Sequence, residues 1–271
     1  MTLINGRPGG HVSVQDRGFQ YGDGLFETLA VVKGTPLLWE RHVQRLFRGA
    51  QRLRIAAPAE ALLRREAQTL CADADRAVLK IILTRGISER GYAVPVNAMP
   101  TRVLSLMPWP DYPAHHRTQG VSVQFCTTKI SRQPALAGLK HLNRLEQVLA
   151  RAELKPECSE GLMLDEQAHV IEGTMSNIFA VVGGKLATPD LSHSGVAGIM
   201  RDIVCERAAA LALDCQVKTL TREDILTADE IFLSNSLIGI WPARRVESKE
   251  YPLGQLTLRM QEAIRDAHGA G

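Results

Sequence analysis

Residues 138–154, GLKHLNRLEQVLARAEL, decide how the rest of the chain is read. A glycine and a leucine lead to a single lysine, Lys140. After it Leu142, Leu145, Leu149 and Ala152 fall on one helical face, with Val148 beside them. That spacing predicts a helix over 141–154 with a buried apolar stripe. A lysine at the start of such a helix most simply lays its stem over apolar surface and keeps its ammonium in water. A partly apolar setting offers a second use, because it lowers the pKa and leaves a neutral amine able to attack a carbonyl.

Toward the C-terminus, short runs read as strands: GLMLD (161–165), HVIEG (169–173), NIFAVV (177–182) and KLATP (185–189). Gly183-Gly184 between the last two is a hairpin signal. The glycine-containing HSGVAGIM (193–200) leads into an amphipathic helix, RDIVCERAAALAL (201–213). EIFLSNSLIGIWP (230–242) reads as a strand followed by a loop, and LTLRMQEAIRDA (256–267) as the last helix.

Toward the N-terminus, VSVQFCTTK (121–129) alternates like a strand. PWPDYPAHHRTQG (108–120) has three prolines and no apolar period, which makes it the linker candidate. Before it lie strand-like RVLSLMPWP (102–110) and AVLKIILTRG (77–86), and helix-like 58–72 and 40–54. In 40–54, His42, Leu46, Gly49 and Leu53 share a face, filled in by Val43, Phe47 and Ala50. LFETLAVVKGTPLLW (25–39) holds a turn at Lys33-Gly34, and TLINGR (2–7) and HVSVQD (11–16) read as short strands. Hairpins in clusters with helices interspersed predict an α+β, mixed α/β fold rather than a strict βαβ repeat. The expected division is a small N-terminal α/β domain over 1–110, a linker over 111–119 and a larger C-terminal domain over 120–271.

The 271 residues are 45% hydrophobic and 23% charged, and the net charge of +3 is small and scattered, which argues against a nucleic-acid partner. Five cysteines, an odd number without a CxxC pair, read as free thiols in a reducing compartment. The first residues lack the signal-peptide pattern, and no apolar run reaches the roughly 18 residues of a membrane span. The expected location is therefore the cytoplasm, with no membrane partner. His42, His115, His116, His141, His169 and His193 show no metal-ligand spacing, so no metal is expected.

Further residues could carry chemistry. Glu172 follows an apolar strand and is either a solvated turn carboxylate or a buried partner for a ring nitrogen. Residues 195–200, GVAGIM, enter a helix, where glycines let backbone N–H groups approach an anion. They lack the dinucleotide and nucleoside-triphosphate spacings. Ser234-Asn235-Ser236 could add donors to the same anion, and Arg45 a charge-assisted contact.

Six motifs in order, DRGFQYGDGLFET (16–28), HVQRL (42–46), GLKHLNRLEQVLA (138–150), IEGTMSNIF (171–179), GVAGIMRD (195–202) and FLSNSL (232–237), resemble those of fold-type IV pyridoxal-phosphate enzymes. That group includes branched-chain and D-amino-acid aminotransferases. KHLNRLEQVLAR (140–151) and ERGY (89–92) are similar to its 4-amino-4-deoxychorismate lyase subgroup, which forms 4-aminobenzoate and pyruvate for folate synthesis. The resemblance implies a two-domain fold with pyridoxal 5'-phosphate in the interdomain cleft, and a homodimer. It implies that Lys140 tethers the cofactor and that Glu172 faces its pyridine nitrogen. Arg45, Ile199, Met200 and Ser236 would bind its phosphate, the middle two mainly by backbone N–H. Thr28 corresponds to a threonine characteristic of the lyases. Arg90 and Tyr92 are the expected contacts for the substrate's carboxylates. The alternative is an aminotransferase of the same fold acting on D- or branched-chain amino acids. Leu145 counts against it, standing where branched-chain enzymes carry a cofactor-contacting tyrosine. Met200 likewise replaces the threonine common in those enzymes, a change that a backbone contact survives.

Overall fold

A computed structural model describes residues 1–268. The chain divides into two compact units, Met1–Pro110 with Leu139–Asn143, and Asp111–Gly138 with Arg144–Gly271.

The first unit holds a six-stranded antiparallel sheet built from β1 (Thr2–Ile4), β2 (Arg7–Pro8), β3 (Gly24–Val32), β4 (Thr35–Pro36), β5 (Arg76–Thr84) and β6 (Thr101–Pro108). Their order is β2-β1-β6-β5-β3-β4. Asn5-Gly6 and Lys33-Gly34 turn the two short hairpins, and all four residues have positive φ, as the tight turn that matches strand twist requires. Three helices accompany the sheet: α1 (Arg17–Tyr21), α2 (Trp39–Leu53) and α3 (Glu60–Cys71). Strand alternation sends Leu25, Glu27, Leu29 and Val31 of β3 to the buried face, and α2 packs on β3 with His42, Val43, Arg45, Leu46, Gly49 and Ala50 buried.

The second unit holds a ten-stranded mixed sheet. It comprises β7 (Val121–Phe125), β8 (Glu160–Leu164), β9 (His169–Gly173), β10 (Asn177–Val182), β11 (Lys185–Pro189), β12 (Cys215–Lys218), β13 (Leu220–Thr221), β14 (Glu230–Asn235), β15 (Gly239–Val246) and β16 (Lys249–Glu250). β12-β11-β10-β14-β15-β7-β8-β9-β13 is the order along the sheet, with β16 paired to β15. Pairs β7–β8, β7–β15 and β11–β12 are parallel. Phe179 and Phe232, register partners on β10 and β14, stack with centroids 4.9 Å apart in the core. The helices are α4 (His115–Thr118), α5 (Leu145–Ala152), α6 (Ile199–Ala210), α7 (Arg222–Thr227), α8 (Gln255–Ala263) and α9 (Arg265–His268). The mixed α/β class agrees with the expectation from sequence, and the strands form two separate sheets.

Three local expectations change. HVSVQD (11–16) forms no strand; only Asp16 bridges, to Ile87. The stretch after Asn235 turns back as β15 instead of remaining a loop, because Asn235 Oδ1 accepts the N–H groups of Leu237 and Ile238 and closes the turn.

The expected 141–154 helix starts only at Leu145. Its first residues are spent on the edge of β3: Phe26 N–H donates to Lys140 O at 2.9 Å and Leu142 N–H to Gly24 O at 3.0 Å. Its orientation is also the reverse of the expectation. Gln147 and Ala150 are the buried residues, while Leu145, Val148 and Leu149 are 70%, 60% and 52% exposed. The small Ala150 joins the cluster of Cys126, Ile130, Met163 and Ile171, and Arg151 anchors the helix to Glu160, Ser159 O and Thr174.

Candidate active site

In the first unit the pairing with β3 brings Lys140 beside Phe26, with Nζ 4.5 Å from the ring centroid. The residue sits in extended chain rather than on a helix. Phe26 and Thr28 share the face of β3 opposite Glu27, and both are half-buried. Lys80 is the register partner of Thr28 on β5, and its Nζ lies 5.4 Å from the same Phe26 ring. Two lysines thus lie near one aromatic ring. Lys80 was not singled out from sequence; a lysine inside the apolar run AVLKIIL was the available signal.

Behind that face lies a buried ionic cluster. Arg45 grips Glu27 with two parallel bonds, Nε to Oε1 at 2.8 Å and Nη2 to Oε2 at 2.6 Å. His42 Nδ1 donates to Glu27 Oε2 at 2.7 Å. Burial alone would raise the pKa of Glu27, but Arg45 and His42 outweigh it and bring it to about 2. Burial also lowers the pKa of His42, and its Nε2 is buried without a hydrogen-bond partner. Glu27 therefore fixes the orientation of the Arg45 fork. A carboxylate in register with Leu25 and Leu29 on the buried face was the sequence signal for this cluster.

Arg90 and Tyr92 lie exposed on the loop after β5. Arg17, itself buried, clamps that loop: Nη1 donates to Ser88 Oγ, Gly91 O and Ala93 O, and Nη2 to Tyr92 O. Asp23 holds the same guanidinium at 2.8 Å and Arg85 at 2.7 Å. Tyr21 adds its hydroxyl as acceptor for Gly91 N–H, and its ring lies 5.3 Å from that of Tyr92. Nothing in the bare spacing of DRGFQYGD reveals this clamp, since Arg17 and the loop are about 70 residues apart.

In the second unit Glu172 is buried on β9. Its Oε2 accepts the N–H of Val196 at 2.8 Å, and it supports the charge of Arg144, which burial otherwise pulls down. The 195–198 turn is fixed from both sides. Asn177 Nδ2 donates to Val196 O, and Gly138 pairs with it through Gly138 N–H to Gly195 O and Ala197 N–H to Gly138 O. Gly195 has φ +81°, and a Cβ there would lie 2.8 Å from Ile171 and Leu191. At Gly198 a Cβ would come within 1.9 Å of Asn177 Oδ1, so a side chain cannot stand at this helix entry. Gly198 caps α6 with no side-chain bond. Ile199 and Met200 open the helix with their side chains buried, so what they offer a ligand is backbone N–H. Ser236 stands half-buried in the β14–β15 turn, and the neighbouring Ser234 Oγ is buried without a hydrogen-bond partner. Uncapped first-turn N–H groups are donors of the kind a phosphate takes, and Ser234 and Ser236 carry further hydroxyls at the end of β14.

Among the described residues, no helix is long and apolar enough to cross a membrane, and no cluster of three or more His, Cys, Asp or Glu side chains suits a metal ion.

The chain is 38% identical over 266 residues to the aminodeoxychorismate lyase of Vibrio harveyi, covering 96% of this chain and 98% of that protein. It is 30% identical over 263 residues to a putative branched-chain-amino-acid aminotransferase of Methanocaldococcus jannaschii, covering 94% and 90%. Its fold superposes on the crystal structure of 4-amino-4-deoxychorismate lyase from Pseudomonas aeruginosa with a TM-score of 0.94, at 49% identity and 98% coverage of both chains. The amino-transferase class IV model matches residues 24–246, which span both β3 and β15, and the chain belongs to that family.

Proposed function

We propose that this protein is a pyridoxal-phosphate-dependent lyase that converts 4-amino-4-deoxychorismate to 4-aminobenzoate and pyruvate, a step of folate synthesis. The observation that carries the reading is the near-full-length likeness to proteins of that name, at 49% identity in one structure. Lys140 beside the Thr28 face supports it.

When bound, pyridoxal phosphate supplies an electron sink for the pair left behind when a C–H bond breaks. Lys140 would tether the cofactor, and its amine would be the base that takes the proton from the amine-bearing ring carbon. Glu172 would face the cofactor's ring nitrogen and favour its protonated form. Ile199 and Met200 offer N–H groups to the phosphate, Ser236 a hydroxyl and Arg45 a guanidinium already oriented by Glu27. Thr28 relays a proton toward the departing enol. Aromatisation of the product ring drives the elimination, so the residues need only start proton removal and direct its return. Arg90 and Tyr92 meet the substrate's carboxylates, joined by Lys80 on the Thr28 face.

The assay supplies aminodeoxychorismate with no keto-acid acceptor. Equimolar 4-aminobenzoate and pyruvate are expected; a requirement for 2-oxoglutarate would point instead to an aminotransferase, the activity named for the Methanocaldococcus relative. Lys140→Ala should remove the visible absorbance band of lysine-bound cofactor.

We also read the protein as a cytoplasmic homodimer of small (1–110) and larger (120–271) domains. The apolar ridge Leu145, Val148 and Leu149 on α5 supports self-association. Light scattering should give twice the chain mass, falling to one on Leu149→Lys.

A further inference from the structure

Cys205 and Cys215 are separated by nine residues and show no redox spacing in the sequence. The fold brings them together. After α6 the chain reverses through Ala212 at φ 55°, closed by Leu213 N–H to Ala208 O at 2.9 Å. It returns as β12, whose first residue is Cys215. The two sulfurs are 3.3 Å apart, with the Cys215 thiol donating to Cys205. Both residues are half-buried, hence reachable by a small reagent. The other thiols differ. Burial pushes Cys71 up to about 11 and Cys126 up to about 12, and raises Cys158 as well. At Cys205 the hydrogen bond from Cys215, aided by the charge of Arg201, wins over burial and lowers the pKa.

We propose that Cys205 and Cys215 form a reversible dithiol–disulfide site that reacts with low-molecular-weight disulfides. The Cys205 thiolate attacks one sulfur of glutathione disulfide, whose S–S bond breaks and releases one glutathione thiolate. Cys215 then gives up its proton and attacks the Cys205 sulfur, and the second glutathione leaves. The protein's two thiols lose two electrons, one glutathione disulfide becomes two glutathione thiols, and the thiol protons end on those products. Closing the bond asks the sulfurs to approach by about 1.3 Å from their present separation. β12 is an edge strand of four residues, where such a shift disturbs little of the core. The cross-link ties α6 to that edge and restricts the unfolded chain, so the oxidised form should melt at a higher temperature.

The test incubates the full-length protein, loaded with its cofactor, with glutathione disulfide and measures intact mass and peptide maps. The expected result is a mass lower by two hydrogen atoms and one cross-linked peptide joining residues 205 and 215. Dithiothreitol reverses both, and a rise in melting temperature accompanies the cross-link. Cys215→Ser should stop at the mixed disulfide and carry glutathione on Cys205, while Cys205→Ser should give no cross-link. Wild-type protein that keeps all five thiols, that holds glutathione stably without a cross-link, or that joins a different pair overturns the proposal. The readout is sulfur chemistry, so it stands or falls apart from the lyase reading.

Discussion

Glu27 and Glu172 are both buried strand glutamates, one in each unit, and they are held in opposite ways. Glu27 accepts three strong bonds from two side chains, and its charge is balanced inside the first unit. Glu172 accepts a main-chain N–H from a turn that two glycines shape. The first is part of the framework that orients Arg45. The second holds a tight turn by its main chain, beside the charge of Arg144, and under the proposed function it is the partner of the cofactor's ring nitrogen. Burial alone therefore does not tell the two carboxylates apart; their hydrogen-bond donors do.

The contrast breaks most readily at Glu27. Glu27→Gln leaves Arg45 buried without its counter-charge, and loss of one partner of a buried pair costs about 3–5 kcal/mol. Denaturant unfolding should show this loss to a similar extent with and without cofactor. A stability change confined to the cofactor-loaded protein would mean that Glu27 belongs with Glu172 after all.

Glu172→Gln should do the reverse. Turnover should fall roughly a hundredfold, equal to about 2.7 kcal/mol of barrier. Its unfolding midpoint without cofactor should move less than that of Glu27→Gln. Steady-state kinetics and denaturation on the same preparation decide the point.

Acid sharpens the comparison further. Both Glu27 and His42 have folded pKa values below their unfolded ones, so the unfolded chain binds more protons and acid favours unfolding. The stability due to His42 should begin to fall as pH drops through its ordinary value of 6.5. That due to Glu27 should fall below 4.5 and be gone near 2. In Glu27→Gln the lower limb should vanish, as read from thermal melts across the pH range.

The smallest expected effect concerns the clamp on the 88–93 loop. Arg17→Lys keeps the charge but cannot span Asp23 and the loop carbonyls at once. KM for the substrate should rise severalfold with kcat and cofactor absorbance little changed. An equal fall in kcat would assign Arg17 to the transition state instead.

Much of this was legible in the residues. LFETLAVVKGTPLLW read as strand about a Lys33-Gly34 turn and Gly183-Gly184 marked a second hairpin, because strand tendency and φ preference are local properties. Lys140, Glu172 and Arg45 were singled out together by the resemblance of six ordered motifs to a known family. Helix α5 shows the limit. Its period marked an apolar stripe correctly, yet Leu145 and Leu149 face outward while Ala150 is buried, because which face is covered depends on what else the chain brings to it.

By itself the sequence determined the class of fold, the element types and the residue types fit for cofactor chemistry, since these follow from side-chain chemistry and short-range geometry. Only the tertiary structure decided that Lys140 is knitted to β3 instead of starting a helix, that Glu27 is the counter-ion of Arg45, that Arg17 grips a loop about 70 residues away and that Cys205 meets Cys215. Each of those is a contact between segments, and its free energy depends on distance in space, a quantity that spacing along the chain does not contain.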